Sequence, residues 1–142
     1  MTPKTAFKPG RLFQVSLVAG AIATLVNLLV ATVARSSLKV PKTFAPFTLA
    51  PLLLGSIVGA LGSVSPLLLL LRFTRKPLYN FWTLSAILLI ASFRLPLRLL
   101  SSKSPRFAGA NTPVVLVLML MHSIVAIASV DLLTRQVNRK QS

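Results

Sequence analysis

The amino-acid sequence predicts an all-α membrane protein, folded as a single bundle of four transmembrane helices. Of its 142 residues, 54% are hydrophobic, and the mean hydropathy is +0.80. An average soluble domain is about 45–50% apolar and about 25% charged. Here only 12% of the residues are charged, with 16 Lys or Arg against a single acid. Long apolar segments between short basic ones are typical of helices that cross a bilayer. The whole chain, residues 1–142, is therefore predicted to be one membrane domain.

The first predicted helix covers residues 12–34, an apolar run without a charged residue. At about 1.5 Å per residue it reaches roughly 35 Å, enough to cross a hydrocarbon core of about 30 Å. Lys4, Lys8 and Arg11 precede it and would also suit the basic start of a signal peptide. The apolar run is long for that, so we expect a retained transmembrane helix.

The connection that follows contains Phe44 and Phe47 between prolines, which disfavour a long helix. Two interpretations stay open for this loop. Its aromatic rings lie at the level of the lipid head groups, or the loop is solvated.

The second predicted helix covers residues 51–71 and is rich in small side chains. Pro66 is expected to bend it, because a proline clashes with the carbonyl four residues earlier. Small residues at a spacing of four allow close packing of helices in lipid, within this chain or against a partner chain. The predicted packing stripe consists of Gly55, Gly59, Gly62 and Ser63.

The third and fourth predicted helices cover residues 78–100 and 113–134. The third is the less regular, because Arg94 and Arg98 lie one turn apart near its end and Pro96 separates them. We expect a spanning helix with a bent, amphipathic exit, whose arginines extend towards the surface. The fourth begins with a proline, which suits the first turn of a helix.

The distribution of charge favours lipid over nucleic acid as the partner. The basic residues lie in short groups between apolar runs, without interleaved stacking aromatics, so we expect no nucleic-acid binding. Anionic head groups are the expected ligands. The residues assigned to them are Arg72, Arg75, Lys76, Arg94 and Arg98. A slight excess of cations predicts cytoplasmic termini, in a bacterial inner membrane or a thylakoid.

Composition excludes several kinds of site. Without cysteine there is no disulfide, iron–sulfur cluster or thiolate zinc site, and a single acid excludes a catalytic carboxylate pair in one chain. One histidine cannot form a multi-histidine metal site. No phosphate-binding loop, dinucleotide fingerprint or nucleophile elbow occurs. We therefore predict a protein that is not an enzyme.

The uncharged polar residues Asn27, Ser92 and His122 are expected near the bilayer midplane, where polar groups are costly and face protein or trapped water. We expect them to meet inside the bundle, with Gly59 making room. His122 has several interpretations: a neutral hydrogen-bonded histidine, a proton- or ion-linked group, or an axial ligand to haem or a chlorophyll-type pigment. A copper site with Met119 and Met121 is weaker, because those two residues point to different faces.

Asp131, the only acid, lies near the end of the last helix. An i,i+4 pair with Arg135 is the simpler interpretation. The alternative is a buried ion pair with Arg72, Arg75 or Lys76.

Three segments resemble uncharacterised four-helix bacterial membrane proteins. They are Ala31-Thr32-Val33-Ala34-Arg35, the loop Phe44-Ala45-Pro46-Phe47-Thr48, and the last helix with Met119-Leu120-Met121-His122 and Leu132-Leu133-Thr134-Arg135. The resemblance implies a small four-span bundle without an established activity. The chain departs from that pattern at Arg94-Leu95-Pro96, where an acidic residue is expected. It also departs at Asp131, where the pattern has an apolar residue or proline.

Two functions of different classes follow from these features. The first is a non-enzymatic accessory or structural subunit that docks to a larger membrane complex through the small-residue stripe and to anionic lipids through its basic rims. The alternative is a small oligomeric transporter or channel, in which Asn27 and His122 line a polar path. Other membrane chains or further copies of this chain are the expected protein partners.

Overall fold

The computed structural model describes residues 9–139, and this part of the chain is helical without a strand. Four segments are long and apolar enough to cross a membrane: Pro9–Leu38, Leu49–Phe73, Pro77–Ser101 and Thr112–Asn138. They confirm the four predicted helices, and each extends beyond its predicted bounds. The helices are α1 (Pro9–Leu38), α2 (Leu49–Gly62), α3 (Val64–Phe73), α4 (Pro77–Ser92), α5 (Arg94–Arg98) and α6 (Thr112–Asn138).

Two prolines divide the second and third spans in the same way. The helix is interrupted at Ser63, three residues before Pro66, and again at Phe93, three residues before Pro96. Proline lacks the amide hydrogen and its ring displaces the carbonyl four residues earlier, so the regular hydrogen-bond ladder stops there. The bend predicted at Pro66 and the bent exit of the third span are both confirmed.

The helices α1, α2 and α6 form the tightly packed part of the bundle, and α1 has the most extensive contacts with both others. Small buried residues on α1 make this possible, at the four-residue spacing Ala19, Ala23, Asn27 and Ala31. The helix α4 packs at the periphery against α3 and α6 and fully buries only Phe81. Direct contact between α2 and α4 is slight, so a gap separates them.

One hydrophobic cluster closes the loop end of the bundle, where α1 ends and α6 begins. This loop-end cluster contains Phe44 and Phe47, whose rings meet edge to face with centroids 5.1 Å apart. Both rings are at most 2% exposed. The prediction of a solvated loop is therefore wrong for these two rings, which pack inside the protein. The depth of the rings in the bilayer stays a prediction. Arg35 secures the loop, because its Nη2 donates to the Phe47 carbonyl at 2.7 Å.

A second hydrophobic cluster fills the opposite end, where α1 begins and α6 ends. This far-end cluster joins residues of α1, α3, α4 and α6: Leu12, Val64, Leu67, Phe81, Val130, Leu133 and Val137. Between the two clusters the bundle is less tightly filled, and there the predicted polar residues lie.

Candidate functional site

A cavity of about 490 Å³ lies in the middle of the bundle, a volume within the range of small-molecule sites. Its walls come from α2, α4 and α6, and Asn27 reaches it from α1. Gly55, Gly59 and Gly62 line it and are exposed, so this central cavity is open on the side between α2 and α4. From Pro51 to Ser63 its α2 wall runs roughly 18 Å at about 1.5 Å per residue.

The structure brings the predicted midplane residues together. Asn27, Ser92 and His122 all line the central cavity, and Gly59 lines it too. They come from four different helices, and Ser56 adds a further hydroxyl from α2. Their shared position on one cavity is the feature of the site that the sequence predicted.

Asn27 links three helices from a position that is only 3% exposed. Its Nδ2 lies 3.4 Å from Ser56 Oγ on α2 and 3.5 Å from the Met121 carbonyl oxygen on α6. These are long hydrogen bonds. Its Oδ1 is buried and has no partner among the described residues. A buried acceptor without a partner is costly, which makes this oxygen a candidate contact for a bound donor.

His122 presents one ring nitrogen to its own helix. Nδ1 lies 2.8 Å from the Leu118 carbonyl oxygen, which can only accept a hydrogen bond. Nδ1 therefore carries the proton, and in the neutral ring Nε2 carries the lone pair. That lone pair can accept a hydrogen bond or bind a metal, so the geometry agrees with the hydrogen-bonded interpretation and leaves a haem or pigment ligand as a prediction.

The serines of the cavity wall also act as acceptors. Three of them donate their hydroxyl proton to a carbonyl of their own helix: Ser63 to Ala60 at 2.5 Å, Ser92 to Leu89 at 2.7 Å and Ser129 to Val125 at 2.7 Å. Each oxygen then has only lone pairs left for a further partner. With the Nε2 lone pair of His122, these serine oxygens give the cavity wall several hydrogen-bond acceptors.

No charged side chain is among the described residues that line the central cavity. A phosphate or carboxylate would find neither a cation nor a set of donors there. The chemistry fits an apolar body that carries a hydrogen-bond donor.

The small-residue stripe of α2 has a different surrounding from the one expected for packing within the chain. A Cβ added at Gly55 or Gly62 would meet nothing within 4 Å, and one at Gly59 would meet only Val125 Cγ1, at 3.1 Å. The prediction that the stripe packs within this chain is therefore wrong for Gly55 and Gly62. These glycines and the half-buried Ser63 form the α2 wall of the central cavity. Packing against a partner chain stays a prediction.

The close approach of helices lies at Gly20 instead. A Cβ there would stand 3.1 Å from the Ile57 Cα and 3.3 Å from the Ser56 carbonyl oxygen. The sequence could have indicated this close contact, because Gly20 belongs to a face of α1 that carries small residues at nearly every turn. That face lacks the paired glycines that mark α2.

The predicted head-group residues are all exposed: Arg72, Arg75, Lys76, Arg94 and Arg98. The guanidinium of Arg72 lies 5.5 Å from the centroid of the Phe73 ring, within the range of a cation–π contact. Arg72, Arg75 and Lys76 lie at the short turn between α3 and α4, whereas Arg94 and Arg98 lie in α5, beyond the opposite end of α4. Their contact with anionic lipid stays a prediction.

Asp131 pairs with Arg135, whose Nε lies 2.9 Å from its Oδ1. This is the i,i+4 pair, and the alternative of a buried ion pair with Arg72, Arg75 or Lys76 is wrong. Asp131 does not line the central cavity. Within residues 9–139 no group of three or more His, Cys, Asp or Glu residues is placed to hold a metal ion. Met119 is not on the cavity wall with Met121 and His122, which removes the three-ligand copper site.

Residues 7–139 match a family of unknown function, DUF6069, and the chain belongs to that family. The predicted relationship to an uncharacterised four-helix family is thereby confirmed. Neither a curated protein nor a solved structure matches the chain significantly.

Proposed function

We propose that this member of the DUF6069 family is a small non-enzymatic accessory subunit of the membrane, which docks a transmembrane helix of another membrane chain at the central cavity. The observation that carries the proposal is the open side between α2 and α4. Gly55 and Gly62 lie there exposed and without a neighbour to pack against. In lipid, small residues favour association because they let backbones approach closely.

Hydrogen bonding supports a partner of defined chemistry. The cavity wall offers the Nε2 of His122 and the serine oxygens as acceptors, about midway along the bundle, and the unpartnered Oδ1 of Asn27 lies buried next to it. A docking helix that carries a donor side chain at this depth, such as Ser, Thr or Trp, would satisfy them. Interhelical hydrogen bonds of this kind contribute on the order of 0.6 kcal/mol each in membranes.

Transport is the second candidate, favoured by the shared position of Asn27 and His122 on one wall. The far-end cluster weighs against it. The cavity wall ends near Ser63 and Val130, and beyond them buried Leu67, Phe81 and Leu133 fill the bundle. One chain therefore forms a cavity closed towards that end. Transport would need a path built between several copies.

Enzymatic chemistry finds little support in the arrangement. The histidine lies on the cavity wall, whereas the only acid is paired with Arg135 away from it. No general acid–base pair is brought together. The exposed cations at Arg72, Arg75, Lys76, Arg94 and Arg98 belong to the same proposal, as contacts with anionic lipid.

Site-specific crosslinking tests the docking proposal, because the chain has no cysteine. A photoreactive probe is attached to Ser85→Cys, on the cavity side of α4, and to Ile90→Cys, which is 67% exposed on the same helix. Both variants are irradiated in the membranes of the source cells. We expect a discrete unlike chain to crosslink to the Ser85→Cys variant and not to the Ile90→Cys variant.

Gly55→Leu serves as the blocking variant, because its side chain enters open space in the isolated chain. We expect it to abolish the crosslink from position 85 while the midpoint of thermal unfolding stays unchanged. Val58→Leu is the matched control, since Val58 is 64% exposed and does not line the cavity. A crosslinked product that persists in Gly55→Leu overturns the proposal. A symmetric homo-oligomer with ion flux in liposomes supports transport instead.

A further inference from the structure

A second cavity, of about 340 Å³, lies between α1 and α6 at the end where α1 begins and α6 ends. It shares no lining residue with the central cavity. Its wall consists of Arg11, Gln14, Val15 and Val18 from α1 and of Leu132, Arg135, Gln136 and Arg139 from α6. We refer to it as the arginine pocket.

The two helices supply matching side chains at three of four positions: an arginine, a glutamine and an aliphatic residue, counted from this end of the bundle. The fourth position holds Val15 on α1 and Arg135 on α6. On each helix the four residues follow the spacing i, i+3, i+4, i+7, which places them on one face. Because α1 and α6 run antiparallel, the outermost level holds Arg11 and Arg139. Gln14 and Gln136 lie about one turn deeper, and the aliphatic residues Val18 and Leu132 lie deepest. The change from guanidinium to aliphatic side chain takes roughly 10 Å along the helix axis.

The electrostatics of this pocket are the opposite of those of the central cavity. Three guanidinium groups line it, and each has several N–H donors and no acceptor. Asp131 engages the Nε of Arg135 but is not on the pocket wall. The carboxamides of Gln14 and Gln136 add N–H donors. The pocket therefore carries excess positive charge with a surplus of donors, which a bound anion would balance.

We propose that the arginine pocket binds an anionic phospholipid. Its three levels match the three levels of such a lipid. Arg11 and Arg139 receive the phosphate, and Arg135, about one turn deeper than Arg139 on α6, adds positive charge beneath it. The amides of Gln14 and Gln136 donate to the ester carbonyls, and Val15, Val18 and Leu132 contact the acyl chains.

The aliphatic residues at the deep level of the pocket indicate that the phosphate belongs to a lipid and not to a soluble molecule. A soluble phosphate would use the guanidinium groups alone and leave Val18 and Leu132 facing an empty apolar space. Basic pockets between transmembrane helices bind lipid head groups in this way. This inference does not depend on the docking proposal, since the two cavities have separate walls.

Native mass spectrometry of the full chain from nanodiscs tests the proposal. The discs contain phosphatidylcholine with a minor share of phosphatidylglycerol, and the readout is the number of phosphatidylglycerol molecules retained per chain. We expect retention by the wild type and about a tenfold loss of it in the double variant Arg11→Gln/Arg139→Gln. The control Lys103→Gln/Arg106→Gln removes the same charge from an exposed loop, and we expect less than about a twofold loss from it.

Two further arms keep the test decisive. Leu132→Trp fills the deep level without a change in charge, and we expect it to reduce retention even if the arginine variant fails to fold. Glycerol phosphate at millimolar concentration should not compete with the lipid. Equal losses in both double variants mean that only overall charge matters, and this overturns the proposal. Competition by glycerol phosphate, or unchanged retention in Leu132→Trp, identifies a soluble-anion site and also overturns it.

Discussion

Gly20 of α1 lies against Ile57 of α2 so closely that a Cβ on Gly20 would stand 3.1 Å from the Ile57 Cα. The atom opposite belongs to the backbone, which cannot turn aside as a side chain can. The contact fixes the distance between α1 and α2. It also determines how Ser56 on α2 meets Asn27 on α1.

Gly20→Ala is expected to lower the free energy of unfolding by about 1–2 kcal/mol, because the added methyl forces the two backbones apart. The measurement is thermal or denaturant-induced unfolding of the purified chain in mild detergent. Gly55→Ala is the matched control, since its methyl would meet nothing within 4 Å. We expect the control to be neutral or slightly stabilising, because alanine favours a helix over glycine. Equal destabilisation by both variants would contradict this role of Gly20.

Arg35→Met should destabilise the chain by about 1.5–3 kcal/mol. The substitution removes a hydrogen bond from a charged donor to the Phe47 carbonyl, 2.7 Å away, which holds the buried loop on α1. Hydrogen exchange of the Phe44, Phe47 and Thr48 amides, which donate to carbonyls within the loop, reports the loosening directly. Lys42→Met, on the exposed surface of the same loop, is the control and should change exchange little. Unchanged protection in Arg35→Met would show that the aromatic contacts hold the loop alone.

Asp131→Asn is expected to cost no more than about 0.5 kcal/mol. The pair with Arg135 is exposed, with 40% of the Asp131 side chain and 69% of the Arg135 side chain accessible, and such i,i+4 pairs are weak. Thermal unfolding at low and high salt measures the effect, which should shrink as salt screens the pair. A loss of several kcal/mol would indicate that the carboxylate has a buried partner in the membrane.

The ring of His122 is expected to carry its proton on Nδ1 at about pH 8, because that nitrogen faces the Leu118 carbonyl oxygen at 2.8 Å. The chain contains one histidine, so a histidine-labelled sample gives a single pair of ring-nitrogen signals. The nitrogen-15 chemical shifts distinguish the two tautomers. A spectrum in which Nε2 bears the proton would show that the second ring position is a donor, and it would remove one acceptor from the central cavity.

The four helices and their two breaks could be predicted because their signals are local, although each span extends beyond its predicted bounds. Uninterrupted apolar runs set the four spans, and Pro66 and Pro96 set the two breaks. The position of Asn27 and His122 on one cavity could also be predicted, since equal depth in antiparallel helices brings polar groups to one level. The burial of Phe44 and Phe47 could not, because it depends on Arg35 and on the helices below the loop.

The small-residue stripe shows where a sequence pattern is ambiguous. Gly55 and Gly59 permit the close approach of another helix, but their spacing does not show whether a helix is present there. The spacing of small residues is the same in a packed helix face and in a cavity wall. Which of the two the stripe becomes depends on the position of α4. The arginine pocket was hidden for a related reason. Arg11 and Arg139 lie at opposite ends of the sequence, and only the pairing of α1 with α6 makes them neighbours.

The extensive contact of α1 with α6 has a consequence for biogenesis. Helix α1 is synthesised before α6, so it gains its main partner only when α6 has been inserted. In the interval, the face of α1 with Ser16, Thr24 and Asn27 lacks α6 and needs α2 or the insertion machinery to shield it. The order of synthesis therefore leaves the packing of α1 incomplete until the α6 segment enters the membrane.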